Sequence, residues 1–163
     1  MRLYLLRHGQ THSNVSGALD TAFPGADLTD LGQRQAQAAS RALEDRGIGA
    51  ISVSTLARTH QTAGPTATQL GLTPVEHDGL REITAGDFEM RADETAVLGY
   101  LGTIAHWLEG DLASPMPGGE TGTAFPGAVR RSDRPHLCAG CRVRAGRQPR
   151  CRDPHVGDAP GER

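Results

Sequence analysis

An apolar run over residues 2–6 stops abruptly at Arg7-His8-Gly9, and helical and strand-like patterns alternate after it. A short apolar run ended by a polar, glycine-containing loop reads as a buried strand. Residues 13–26 then read as loop, with turn signals at Ser16-Gly17 and Pro24-Gly25. Thr29 or Asp30 caps a helix running to about Arg46, with Gly47 as its stop. Its expected buried stripe is Leu31, Gln35, Ala38 or Ala39, and Ala42 or Leu43. Residues 48–53 predict a second strand. A second helix follows over residues 57–70, with Leu56, Ala63, Ala67 and Leu70 on one face, and residues 74–76 predict a third strand. A helical insertion is expected over residues 91–109, with Val97, Leu101, Ile104 and Leu108 at helical spacing. This alternation implies an α/β fold, a layered domain with a mostly parallel sheet.

The chain divides in character near Gly127. Residues 1–127 carry 8 Arg against 15 acidic side chains, residues 128–163 carry 9 Arg against 4, and the chain has no Lys. The first segment is the expected folded domain. The second is an Arg/Pro/Gly/Cys-rich tail with no period of two or 3.6, and beyond Val129 its only aliphatic side chains larger than Ala are Leu137, Val143 and Val156. Such a segment buries too little surface to offset its ordering entropy, so disorder is expected. No stretch is long enough to span a bilayer. The N-terminus is too short for a signal peptide before its motif begins. A cytoplasmic protein with no membrane partner is expected. All three cysteines lie in the tail, and an odd count argues against a disulfide framework.

The chemistry is carried by three local patterns. Arg7-His8 stands at the end of the first expected strand, where open α/β sheets bind ligands. An imidazole there can attack phosphorus, and a guanidinium can hold phosphate oxygens through paired hydrogen bonds. Gly9 permits close backbone approach, and Thr11 and Asn14 add neutral donors. Taken alone, the tripeptide is better explained as an ordinary turn. Arg58 opens the second helix, where free N–H groups and the dipole favour an anion. Glu82, in Leu80-Arg81-Glu82-Ile83, supplies a carboxylic acid able to protonate a leaving oxygen. The plain alternatives are a solvated helical Arg58 and a surface Glu82 paired with Arg81.

Taken in order, five segments resemble the histidine phosphatase superfamily, the phosphoglycerate mutase-like family. They are Leu6-Arg7-His8-Gly9-Gln10-Thr11 with Asn14; Leu28-Thr29-Asp30-Leu31-Gly32-Gln33-Arg34-Gln35-Ala36; Ser54-Thr55-Leu56-Ala57-Arg58-Thr59-His60-Gln61-Thr62-Ala63; Leu80-Arg81-Glu82-Ile83; and Pro117-Gly118-Gly119-Glu120-Thr121. The resemblance implies a three-layer α/β fold with helices on both faces of the sheet, incomplete at the C-terminus. It implies His8 as the nucleophile that becomes phosphohistidine, Arg7 and Arg58 as phosphoryl ligands, and Glu82 as general acid and then base. Thr11 and Asn14 would bind substrate. No metal or other cofactor is implied, and the partner would be a small-molecule phosphomonoester. Gln10 stands where the mutases closest to the name usually carry Glu, and residues 16–27 do not resemble their loop, which favours a phosphatase. A mutase-type transfer and a catalytically dead phosphate-binding domain are the alternatives.

The resemblance also implies a second catalytic histidine near the C-terminus, at the end of an apolar strand. His136 follows Arg134-Pro135 and His155 follows Asp153-Pro154, so neither ends an apolar run. Impaired activity and poor stability are therefore expected. His136, Cys138, Cys141, Cys151 and His155 offer zinc-type ligands, but the second pair lacks a usual spacing and nothing apolar surrounds them. Tail binding to nucleic acid would rest on charge alone, without stacking aromatics, so no nucleic-acid partner is expected. A frameshift after about Phe125 in a GC-rich gene accounts for the tail. Translation of the other two frames of the encoding DNA is expected to yield an apolar strand ending in Ser-His-Gly or a close variant. If neither frame does, the frameshift explanation fails.

Overall fold

The computed structural model describes residues 2–124. The tail over residues 128–163 lies outside them, as do the expectations placed on it. Among the described residues the sheet consists of β1, Ser52–Val53, and β2, Val75–Glu76, paired in parallel with Ser52 opposite Val75. The Val75 amide donates to the Ile51 carbonyl at 2.9 Å, and the His77 amide to that of Val53 at 2.8 Å. Parallel neighbours need a crossover, and the long helix between them supplies it. The expected α/β architecture is present, with both strands shorter than residues 48–53 and 74–76 predicted.

Residues 2–6, expected as a buried strand, form none. Leu3, Leu5 and Leu6 are 70%, 90% and 55% exposed. A strand is defined by its ladder, and no backbone hydrogen bond ties residues 3–7 to another described element. An apolar run is therefore present without the partner that would bury it. The expected loop over residues 13–26 also needs correction, because it contains a short helix, α1, His12–Ser16.

Local signals set the limits of the longer helices. Helix α2, Asp30–Leu43, starts where the Thr29 hydroxyl accepts the Gly32 amide at 3.1 Å. It runs into a tight turn, Glu44–Arg46, and stops at Gly47, whose φ of 65° suits a glycine. Helix α3, Ala57–Leu70, ends at Gly71 in the same left-handed conformation. Helix α4, Glu94–Leu108, is capped by the Asp93 carboxylate, which accepts the Ala96 amide at 3.1 Å.

Two buried faces lie one residue away from the expected ones. In α2 the buried residues are Gly32, Ala36 and Ser40, while Leu31 is 41% exposed. Close approach decides this: a Cβ added at Gly9 would stand 2.6 Å from the Gly32 carbonyl oxygen. The Ser40 hydroxyl then bonds Gln69 of α3, which needs a small side chain at the contact. In α4 the buried residues are Ala96, Tyr100 and Trp107, while Leu101 and Leu108 are 53% and 84% exposed. The aromatics bury the larger area, and each polar tip finds a carbonyl. Tyr100 Oη donates to Ile83 O at 3.0 Å and Trp107 Nε1 to Ser114 O at 2.7 Å.

These aromatics form a core with Ala85 and Met116, flanked by Ile83, Phe88, Ile104 and Leu112. The Pro117-Gly118-Gly119-Glu120 segment seats Met116 there. The Met116 amide donates to Glu120 O at 2.9 Å, and the Asp87 amide to Pro117 O at 2.8 Å. Replacing Trp107 with Ala is expected to cost about 3–5 kcal/mol in urea unfolding. Leu101→Ala, on the neighbouring face, is expected to change stability by only about 0.5 kcal/mol. Equal costs would show that the helix packs through its leucine stripe instead.

Candidate active site

The residues singled out in the sequence come together at one place. Arg7, His8, Arg58 and Glu82 line a single open cavity of about 240 Å³, with Leu6, Ser54, Leu56, Thr59, Leu80 and Arg81 completing its wall. Residues 57–70 were read correctly as a helix, and Arg58 occupies its first turn. The helix N-cap, Leu56, offers no side-chain acceptor to the amides above it. An uncapped N-terminus beside a guanidinium is a favourable surrounding for an anion.

His8 is half-buried, and its Nδ1 donates to the carbonyl oxygen of Gly9 at 2.7 Å. A carbonyl only accepts, so Nδ1 carries the proton, and in the neutral ring Nε2 carries the lone pair. Burial lowers the pKa of the imidazole below its ordinary value, and the positive charges of Arg58 and Arg7 act in the same direction. The bond to Gly9 and the Glu82 carboxylate oppose the shift without reversing it. A neutral ring with a free Nε2 is the form a nucleophile requires.

The loop carrying His8 is fastened to α3 by one hydroxyl. The Gly9 amide donates to Thr62 Oγ1 at 3.0 Å, and that hydroxyl donates to the Arg58 carbonyl at 2.7 Å. His8 and Arg58 are thus linked through a buried side chain one helical turn after Arg58.

Arg58 is only 3% exposed. Its Nη2 donates to the Asp20 carbonyl at 2.9 Å, and Nη1 lies 3.7 Å from Asp20 Oδ1. Neither Nε nor Nη1 has a hydrogen-bond partner among the described residues. The Asp20 carboxylate is itself fixed by the Ser13 hydroxyl at 2.6 Å and the Ala26 amide at 2.9 Å. Gly25 keeps this wrap tight, since its φ is 73° and a Cβ there would meet Arg58 Nη1 at 2.5 Å.

Sequence reading missed this counterion, because nothing local marks Asp20 as the partner of a residue 38 positions away. It also missed Glu89, whose carboxylate accepts the amides of Thr21 at 2.8 Å and Ala22 at 3.0 Å and so holds the same loop. Ser54 and Thr59, 3.1 Å apart through their hydroxyls, were quoted in a motif without being assigned to the cavity.

Thr11 and Asn14 stand apart from the cavity wall. They form a reciprocal capping box for α1: the Asn14 amide donates to Thr11 Oγ1 at 3.1 Å, and the Thr11 amide to Asn14 Oδ1 at 3.0 Å. The threonine–asparagine spacing of three was the signal that could have shown this.

Glu82 is exposed, with no ion pair or hydrogen bond among the described residues. Arg81 does not neutralise it, pairing instead with Asp78 Oδ1 through Nε at 3.0 Å. The segment behind Glu82 is held by the Tyr100 bond to Ile83, and burial raises the Tyr100 phenol well above its ordinary range, keeping it a donor. Among the described residues no group of three His, Cys, Asp or Glu side chains could hold a metal ion. No described helix is long and apolar enough to cross a membrane. His136, Cys138, Cys141, Cys151 and His155 lie outside the described residues.

The family model for the histidine phosphatase superfamily (branch 1) matches residues 3–131, and the chain belongs to that superfamily. The PE-PGRS family protein PE_PGRS11 of Mycobacterium tuberculosis is 42% identical over 135 residues, covering 77% of this chain and 23% of that protein. The alpha-ribazole phosphatase of Shigella flexneri superposes with a TM-score of 0.62 at 30% identity, over 78% of this chain and 62% of that one. A mycobacterial glucosyl-3-phosphoglycerate phosphatase, in complex with VO3, gives a TM-score of 0.64 at 28% identity, over 77% and 61%. Phosphoglycerate mutases are also among the matches. This chain thus spans less than two thirds of the length of PE_PGRS11 and of both phosphatases.

The His8 surroundings make a direct prediction. Its NMR titration midpoint is expected to fall below the ordinary imidazole value of 6.5, and Arg7→Met is expected to raise it. The ring is neutral above that midpoint and charged below it. An unchanged midpoint in Arg7→Met would remove Arg7 from the electrostatics of the site.

Proposed function

We propose that this chain hydrolyses a small phosphomonoester through a phosphohistidine formed on His8. The observation that carries the reading is the convergence of Arg7, His8, Arg58 and Glu82 on one cavity, with His8 Nδ1 already donating to Gly9. In the proposed first step, His8 Nε2 attacks phosphorus as the ester bond to the leaving oxygen breaks. Glu82, protonated, gives its proton to that oxygen. Arg7 and Arg58 neutralise the phosphoryl oxygens, and the unpartnered Nε and Nη1 of Arg58 are the donors available for this. In the second step Glu82 takes a proton from water, which attacks the phosphohistidine and releases phosphate with His8 restored. Positioning and charge neutralisation supply most of the catalysis in such transfers.

Two observations support hydrolysis over mutase-type transfer: Gln10 stands in place of Glu, and both phosphatases superpose on this fold. Gln10 Oε1 accepts from the Thr29 hydroxyl at 2.9 Å, which gives it a structural task beside the helix cap. Low turnover is part of the proposal, because the resemblance implies a second histidine that neither His136 nor His155 resembles in sequence context.

The test is turnover of a generic phosphomonoester by the full chain. His8→Ala is expected to abolish it. Glu82→Gln is expected to lower kcat about 10²–10⁴-fold, the usual worth of a positioned proton donor. Phosphohistidine should be trapped by acid-stable alkylation-free quench into base and seen by ³¹P NMR in the Glu82→Gln chain. Vanadate binding without any hydrolysis would instead identify a phosphate-binding domain.

A further inference from the structure

The cavity holds one more cation than a single phosphoryl group uses. Three guanidinium side chains, Arg7, Arg58 and Arg81, share its wall with one carboxylate, Glu82. A phosphomonoester carries about −1.5 to −2 charges near neutrality, which Arg7 and Arg58 together balance. Arg81 is therefore left over on the cavity wall.

Its placement says which part of a substrate it meets. Glu82, as proton donor, marks the side of the cavity from which the leaving oxygen departs. Arg81 precedes it directly in the chain, so it flanks the leaving group and not the transferring phosphoryl. Its orientation is also fixed. The Arg81 amide donates to the Asp78 carbonyl at 3.3 Å, and Nε pairs with Asp78 Oδ1 at 3.0 Å. Asp78 thus holds the inner edge of the guanidinium, and neither terminal nitrogen makes a hydrogen bond among the described residues. Two parallel N–H donors on a planar fork match a carboxylate or phosphate edge.

We infer that Arg81 is a specificity-determining residue that recognises a second anionic group, carried on the leaving-group side of the substrate. The inference rests on the phosphomonoesterase reading for the identity of that side. Since the Arg81 side chain is 48% exposed, solvent screening limits the effect to about tenfold rather than several hundredfold.

The test compares esters that differ only at the far end of the chain: n-propyl phosphate, 3-phosphooxypropanoate and propane-1,3-diyl bisphosphate. Equilibrium binding to the full chain is measured by calorimetry, and kcat/KM in parallel. Either doubly anionic ester is expected to bind about tenfold more tightly than propyl phosphate. The stronger of the two tells whether a carboxylate or a second phosphate is recognised. Arg81→Gln should bring the ratio close to one, and Arg81→Lys should restore part of it. A ratio near one in the unsubstituted chain overturns the inference, as does a ratio that survives Arg81→Gln or the binding of none of the three. If the binding ratio holds while no ester is hydrolysed, Arg81 keeps its role and the phosphatase reading falls.

Discussion

A buried guanidinium organises much of this molecule. Arg58 is enclosed at the start of α3 with two of its nitrogens unpaired. Taking such a charge out of water is costly unless an opposite charge and hydrogen bonds replace the solvent. Asp20 supplies the charge, and its carbonyl supplies one bond. For Asp20 to reach Arg58, the chain between α1 and α2 must wrap over α3. Ser13, Ala26, Gly25 and Glu89 each have a part in keeping that wrap closed. The donors left over define what the cavity accepts. They suit an anion that completes the set, which is the physical link between packing and phosphate chemistry.

The proposed chemistry is shared between two supports. His8 and Arg58 belong to the α2–α3 side, where the Thr62 hydroxyl couples the His8 loop to the helix. Glu82 belongs to the α4 side, where Tyr100 grips the Ile83 carbonyl and the core of Trp107 and Met116 lies behind it. The nucleophile and the proton donor therefore face one another across a seam. Each is positioned by a rigid helix, whereas the reacting groups sit on the connecting segments, a common arrangement for functional residues. Arg81 turns away from its neighbour Glu82 toward Asp78, which leaves the acid unpaired and the seam charged on one side only.

Helix limits were well read from the sequence because they depend on neighbours in the chain. Thr29 and Gly47 bracket α2 and its closing turn, and Gly71 ends α3, through hydrogen bonds spanning a few residues. Helix faces were misread by one position in α2 and α4. The leucines suggested the stripe, but Gly32 and Ala36 permit closer approach, and Tyr100 and Trp107 combine large area with a satisfied polar tip. The strand expected over residues 2–6 failed for another reason. Strand propensity fixes an extended shape, while a ladder needs a partner that the sequence of the strand does not contain.

The sequence alone determined the chemical inventory: Arg7 beside His8, a guanidinium opening α3, a carboxylic acid at Glu82, and the order that marks the superfamily. Those facts depend on covalent adjacency and short-range periodicity, which survive without a fold. Tertiary structure alone decided which arginine is buried, that Asp20 is its counterion, that Thr11 and Asn14 cap a helix, and that Arg81 joins the cavity while pairing with Asp78. Each of these depends on which groups lose water together when distant segments close on one another. That competition for desolvated partners is settled by packing and leaves no local trace in the chain.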